Sequence, residues 1–278
     1  MEENNAQEPI QIITPEADSF SDYFKKIWRF RALIWVFAKR DIKVKYAQTA
    51  IGISWSIIQP LTALLIYTFF FGYILDWKSG ELPFALYVLS GLLGWNFFSY
   101  TVTAGSTSIQ ESSQIIKKIY FPKSILPLSK LVMAGVDLLL SFTLLIPLMI
   151  YYGQAISWKI VFLPLVLLFN AVCALTLVFW VASFAYRKRD LFHLLPFIVY
   201  FGVWLTPVFF TNDLLPGRLS ILMEINPMAN VVNAWRWMLF DTTDFSPIWI
   251  VNFFVVAFLC VLGMFYYNKK ESAFSDFV

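Results

Sequence analysis

The sequence predicts an all-α integral membrane protein with six transmembrane helices, and three observations carry that expectation. Hydrophobic residues make up 59% of the 278 and charged residues only 14%, against about 25% charged in ordinary soluble domains. Six apolar stretches each reach the roughly 20 residues that a helix needs to cross the hydrocarbon core. Lys and Arg gather on alternate loops. Too few charged residues remain to cover a soluble surface of this size, which excludes a soluble globular enzyme, a disordered chain and a disulfide-rich secreted domain. Strand alternation is absent, so a β-barrel is not expected.

Residues 1–19 are acidic and polar without periodicity, and a disordered tail is expected there. Glu2, Glu3, Glu8, Glu16 and Asp18 precede the first basic residue, Lys25, whereas a secretory signal needs a basic start and an apolar core. Residues 20–46 are expected to form a cytoplasmic helix lying in the membrane interface. From Phe20 to Asp41, Tyr23, Ile27, Phe30, Ile34 and Phe37 step by four and three into one apolar stripe. Lys25, Lys26, Arg29, Lys39 and Arg40 lie off that stripe, placed to meet lipid phosphates. The alternative is an ordinary packed amphipathic helix.

A transmembrane domain is expected over 47–278, with spans at about 53–75, 84–107, 125–152, 158–186, 191–210 and 247–267. The third and fourth are long enough to tilt. Of the 21 Lys and Arg, 17 fall before span one, between spans two and three with the start of span three, between spans four and five, and after span six. The positive-inside rule then puts both termini in the cytoplasm.

Two connections are more than turns. At about 112–121, Ser112 or Ser113 can cap a short helix through Ile115, Ile116, Ile119 and Tyr120. Pro122 ends it, since a residue before proline is pushed out of the helical region. Apolar side chains beside Lys117 and Lys118, between two spans, suit docking of a cytoplasmic partner; a plain loop is the alternative. The external segment from Thr211 to Ser246 is rich in Leu, Met, Trp and Phe, and Asn226-Pro227 divides it into two pieces that could dip into the outer leaflet.

Within the spans, Asn96, Ser99, Thr103 and Ser106 form a polar stripe on span two that faces a neighbouring helix or a hydrated path. Span one carries Gln59, Thr62, Phe69 and Tyr73, and span five carries Phe197, Tyr200 and Trp204. Such rings can stack on sugar faces, although aromatic residues also belong to ordinary interfacial belts.

Catalytic chemistry is sparse. No Gly-Lys dipeptide occurs, so the chain has no P-loop. His193 is the only histidine, and no Cys-x-x-Cys or His-Glu-x-x-His is present; a metal centre or His-based triad is not expected. Cys173 and Cys260 sit in apolar runs as small buried hydrophobes. Asp241 and Asp244 read as a solvated external pair rather than a Mg²⁺ site. The net charge of +3 is too small to imply nucleic acid. Asp137 is the one clear intramembrane acid and a functional candidate by default, with no evident basic partner.

Arg40-Asp41-Ile42-Lys43-Val44-Lys45-Tyr46, Gly52-Ile53-Ser54-Trp55 and Gln59-Pro60-Leu61 together resemble the opening of one family, the membrane subunits of type-2 ABC (ABC-2) exporters of polysaccharides. Ile116-Lys117-Lys118-Ile119-Tyr120-Phe121-Pro122 with Leu126-Pro127 resembles its cytoplasmic coupling segment. Arg189-Asp190 is similar to the loop before span five. Thr206-Pro207-Val208-Phe209-Phe210, Asn226-Pro227-Met228 and Arg236 are similar to its external re-entrant segment. The likeness runs in order from about residue 30 to the C-terminus.

The resemblance implies a homodimer in the bacterial inner membrane, bound to two copies of a separate P-loop ATPase that carries the ATP and Mg²⁺. This chain would then hold no cofactor and no catalytic residue. The cargo would be a polyprenyl-diphosphate-linked polysaccharide: O-antigen, capsule or teichoic acid. Ser113, Ile115, Ile116, Lys117, Lys118, Ile119 and Tyr120 would seat in the ATPase. Trp55 joins Gln59, Thr62, Phe69, Tyr73, Asn96, Ser99, Thr103, Phe197, Tyr200 and Trp204 as candidate lining of the conduit. Arg29, Lys39 and Arg40 would draw the lipid headgroup. Pro207, Phe209, Phe210, Asn226, Pro227 and Arg236 would form the external gate. An ion-coupled secondary transporter and a membrane-embedded polyprenyl-sugar transferase are the competing readings.

Overall fold

The computed structural model describes residues 20–47, 51–77, 79–185, 190–211 and 217–277. The acidic tail, Lys78 and the basic Arg187–Arg189 loop lie outside them. Among the described residues every regular element is helical. The helices are α1 (Phe20–Arg29), α2 (Arg31–Ala47), α3 (Trp55–Tyr67), α4 (Phe84–Glu111), α5 (Ser113–Ile116), α6 (Ile125–Tyr152), α7 (Leu163–Ala185), α8 (Asp190–Gly202), α9 (Arg218–Ile225), α10 (Pro227–Phe240) and α11 (Ile248–Phe277).

Four helical stretches among the described residues are long and apolar enough to cross a membrane: Gly52–Ile74, Ile125–Tyr152, Trp158–Ala185 and Ile248–Glu271. The first contains α3 and then widens into a π-helix over Thr68–Ile74, a form often found at functional sites. Helix α4 has the length, 28 residues, but it is too polar to join that set. Its surroundings explain why. It packs against α3, α6, α7, α8 and α10, so its neighbours are protein, and small and polar residues suit close helix contacts. A Cβ on Gly91 would stand 2.8 Å from the Val208 carbonyl oxygen, and one on Gly94 would stand 2.7 Å from Trp235. The Asn170 amide of α7 donates to the Gly94 carbonyl at 3.0 Å.

Three expectations need correction. The fifth span stops early: α8 and a 3₁₀ turn over Val203–Leu205 end at Thr206, whose extended backbone (φ −131°, ψ 134°) precedes Pro207. About 16 helical residues at 1.5 Å each fall short of the ~30 Å core, and Thr206–Phe210 continues as buried irregular chain. The interface helix is two helices that meet at Phe30. Its stripe faces protein rather than lipid: Tyr23, Ile27 and Phe37 are buried with Ile109, Phe121, Ile125, Phe179 and Tyr267. A second face, with Phe24, Trp28, Trp35, Val36 and Val44, is left exposed. Finally, the helix after α4 is one turn long, and Ser112 caps it without a side-chain hydrogen bond.

Candidate functional site

Helix α3 and helix α8 border an open groove of about 860 Å³. Trp55, Gln59, Thr62, Tyr200 and Trp204 all line it, together with Tyr67 and Phe71. On α3 these positions recur every three or four residues and therefore share one face. The Thr62 hydroxyl donates to the Ile58 carbonyl at 2.8 Å, so Gln59 supplies the exposed amide on that wall. The aromatic wall rests on Phe209, which is buried. Phe209 stacks on Tyr67 at 4.9 Å and on Phe71 at 5.1 Å, and meets Trp204 edge-on at 4.6 Å.

The other lining candidates lie elsewhere. Phe69 and Tyr73 stack on each other at 5.9 Å and are exposed off the groove. Phe197 packs on Phe201 at 4.6 Å and is likewise outside it. On α4, Asn96 is exposed, Ser99 and Thr103 are half-buried, and the Thr103 hydroxyl bonds back to the Ser99 carbonyl at 2.7 Å. Ser106 is fully buried. None of these four lines the groove.

Beyond the groove, α9 and α10 divide at Asn226. Its side chain accepts from the Met228 amide at 3.0 Å and donates to the Leu205 carbonyl at 2.9 Å; Pro227 then starts α10, where a missing N–H costs nothing. Asn226 thereby ties α10 to the end of α8. Arg236 is wholly buried. Its guanidinium lies 3.5 Å from the centre of the Tyr87 ring, donates to the Val208 carbonyl at 2.8 Å, and reaches Asn233 Oδ1 at 3.2 Å. Pro207 and Phe210 are buried beside it. These side chains hold the Thr206–Phe210 chain against α4 and α10.

The opposite end of α4 carries a network of charges. Lys45 Nζ stands 2.6 Å from Asp137 Oδ2. Tyr46 donates to the other carboxylate oxygen, as does Ser56 at 3.0 Å. Asp137 therefore has a basic partner, contrary to the sequence reading; the partner comes from α2, 92 residues away. Lys130 pairs with Asp41 at 3.0 Å and with Glu111 at 2.8 Å. Burial, then the Asp137 hydrogen bond, pushes the Tyr46 phenol above its ordinary pKa. Tyr23 of α1 donates to the Glu271 carboxylate of α11, which also accepts from the Lys123 amide at 2.8 Å. Burial first, and the Glu271 charge second, hold the Tyr23 phenol well above its ordinary range.

The headgroup candidates separate. Arg29 and Lys39 are exposed, and Lys39 lies over the Trp35 ring at 5.5 Å. Arg40 is half-buried and engaged with Asp41 at 2.8 and 2.9 Å. In the coupling segment Ile115 and Ile116 pack on the cluster around Phe121. Lys117, Lys118, Ile119 and Tyr120 are exposed, and Ser113 is half-buried. Asp241, which ends α10 with a positive φ, pairs with Lys159 rather than with Asp244. His193 is exposed.

Sequence reasoning missed the ionic cluster, although a signal existed. Asp41 and Lys45 stand four apart and Lys130 and Asp137 seven apart, so each pair shares a helix face, with the charge order reversed between α2 and α6.

The chain is similar in sequence to known transport proteins. An O-antigen export system permease protein RfbA from Klebsiella pneumoniae is 27% identical over 248 residues, 88% of this chain and 94% of its own. The RfbA permease of Myxococcus xanthus is 24% identical over 89% of this chain and 96% of its own. The polysialic acid transport protein KpsM of Escherichia coli is 23% identical over 71% and 77%. Residues 32–240 match the family described as ABC-2 type transporter. That match takes in the groove, the Arg236 region and the charge cluster up to Asp137, and it places this chain in the ABC-2 type transporter family.

Proposed function

We propose that this chain is the permease of an ATP-driven exporter that moves a polyprenyl-diphosphate-linked polysaccharide, of the O-antigen, capsule or teichoic acid kind, from the cytoplasm across the bacterial inner membrane. The family match over most of the chain and the export relatives support the transport role. The single observation that carries the cargo class is the aromatic groove between α3 and α8, with Gln59 as its exposed amide. A sugar chain cannot cross hydrocarbon unaided, and a wall of rings with few fixed hydrogen bonds gives it weak, repeated footholds.

In this reading the chain spans the membrane six times, with α4 and α8 completing the four apolar spans and both termini cytoplasmic. The α4 span is shielded by its neighbours and α8 is extended by the irregular Thr206–Phe210 chain. Two copies pair, their grooves face one conduit, and two P-loop ATPase subunits dock on Ser113–Tyr120. ATP and Mg²⁺ belong to those subunits. The segments α9 and α10 sit at the external mouth, with Arg236, Phe209 and Phe210 bracing them. The exposed Trp28 and Trp35 face of α1 and α2 lies at the cytoplasmic interface, where Arg29 and Lys39 meet the lipid diphosphate. Arg40 contributes less than its exposed neighbours because Asp41 already holds it.

Ion coupling has weaker support, since Asp137 is neutralised by Lys45. A transferase would require acids and bases free to act, whereas those of the charge network are engaged with one another. The test is purification of the chain from its host in mild detergent. A stoichiometric P-loop ATPase should co-purify and hydrolyse ATP, and deletion of the chain should remove a surface polysaccharide. A chain that purifies alone, in cells whose surface glycans survive its deletion, would overturn the proposal.

A further inference from the structure

A second cavity lies at the end of α4 remote from the charge network, about a helix length of 28 residues away. It encloses about 480 Å³ between the start of α4, the end of α9, α10 and the start of α11. That volume falls within the range of small-molecule sites. Glu224 and Asp244 bring two carboxylates, Asn230 and Asn233 two amides, and Tyr87 and Trp249 two aromatic walls, with serine and threonine hydroxyls between them.

The hydrogen-bond bookkeeping leaves this lining only partly used. Asn230 donates to the Glu224 carbonyl at 2.9 Å, which keeps its Oδ1 as a spare acceptor. Asn233 Oδ1 accepts from Arg236, which keeps its NH₂ as a spare donor. Asn252 also donates to the Glu224 carbonyl, at 2.9 Å, so that main chain is pinned while the side chain stays free. The Glu224 and Asp244 residues are exposed, and neither carboxylate has a hydrogen bond or ion pair among the described residues. Spare acceptors, spare donors and aromatic walls within one cavity match a ligand whose every edge both donates and accepts, as sugar hydroxyls do.

We propose that this cavity is a saccharide-binding site at the exit of the path, selective for neutral or amino sugars. The two free carboxylates accept from hydroxyls or pair with an ammonium, and they repel an acidic sugar. Held there, an emerging residue of the polymer resists sliding back while the groove behind it resets. The inference rests on the exporter reading above and adds a second contact point to it.

The probe is the surface glycan of the producing cell, freed from its lipid by mild acid and cut to short oligomers. Its binding to the purified full-length permease with its ATPase is measured by calorimetry. Three forms are compared: wild type, the double variant E224Q/D244N, and Ser246→Trp, which fills the cavity. Deletion of the chain is scored in parallel for loss of that glycan from the cell surface. The proposal expects binding that falls about tenfold or more in both variants, with unchanged thermal stability and co-purification of the ATPase. Equal binding by all three forms, when deletion does remove the glycan, would overturn the site and leave the exporter reading standing. A glycan that persists after deletion would overturn the exporter reading itself. Ca²⁺ binding that is lost in E224Q/D244N, with no glycan binding in any form, would reassign the cavity to a cation.

Discussion

Lys45 of the helix preceding the first span closes on Asp137 in the middle of α6 at 2.6 Å, with Tyr46 and Ser56 completing the carboxylate's hydrogen bonds. An acid in a span invites a proton-relay reading, but this one forms half of a structural clamp with Lys45. Asp137→Asn should destabilise the chain by about 1–3 kcal/mol, since it strands a half-buried lysine, and should leave polysaccharide export running in cells that make enough protein. Thermal unfolding beside a surface-glycan assay separates the two effects. Abolished export with normal assembly would restore the ion-coupled reading.

The groove makes a prediction by position. Tyr200→Ala and Trp204→Ala should each slow export several-fold while ATPase co-purification is kept, because their rings line the groove. Phe69→Ala and Tyr73→Ala, whose rings are exposed but off it, should leave export within about twofold. An equal loss from all four would mean that aromatic bulk anywhere on these helices is what matters.

The coupling segment divides by burial. Ile119→Glu and Tyr120→Ala replace exposed side chains and should detach the ATPase without lowering the unfolding temperature. Ile115→Glu puts a charge into the cluster around Phe121 and should cost several kcal/mol of stability. Pull-down and thermal scans on the same preparations check both arms.

Alkaline titration should read the Tyr23–Glu271 contact. Burial and the neighbouring carboxylate raise the phenol's folded-state pKa above its unfolded value. Below about pH 10 the phenol is protonated in both states and its contribution is complete. As pH rises past that value the unfolded state loses the proton first, and the contribution falls away. Wild type should therefore lose unfolding temperature between about pH 9 and 11 more steeply than Tyr23→Phe. Parallel curves would remove Tyr23 from the account.

Gly91→Ala tests the mouth. The added methyl would meet the Val208 carbonyl at 2.8 Å and the Arg236 guanidinium at 2.9 Å, so stability should fall by about 1–3 kcal/mol. Gly135→Ala on α6, where nothing lies within 4 Å, should keep stability or raise it by up to about 1 kcal/mol, since alanine favours a helix interior over glycine.

What could be read in advance followed from local physics. Apolar length located α3, α6, α7 and α11, because hydrocarbon imposes the same requirement on each residue of a span. Spacing put Gln59 and Thr62 on one face, together with Phe69 and Tyr73, while Trp55 and the pairing of that face with Tyr200 and Trp204 rested on family likeness. The misses came from contacts between distant segments. Composition cannot say that the Tyr23–Phe37 stripe meets Phe121 and Tyr267 rather than lipid, since both are apolar partners. Nor does the hydropathy of residues around Asp137 disclose a lysine 92 positions earlier. Phe69 and Tyr73 lie off the groove within the Thr68–Ile74 stretch, whose π-helical widening changes the register that an ideal α-helix would project.

The polarity of α4 also sets a problem of birth order. Of its packing partners only α3 precedes it; α6, α7, α8 and α10 follow it in the chain, so the ribosome delivers it before they exist. Until then its hydroxyls can turn inward on their own helix, as Thr101 does to the Phe97 carbonyl at 2.8 Å and Ser108 to Gly105 at 2.6 Å. Ser106 makes no such bond, so in lipid its hydroxyl stands unpaired until neighbours cover it. The half-made permease, rather than the finished one, is then the form most open to membrane proteases, and the second half of the chain acts as the chaperone of the first.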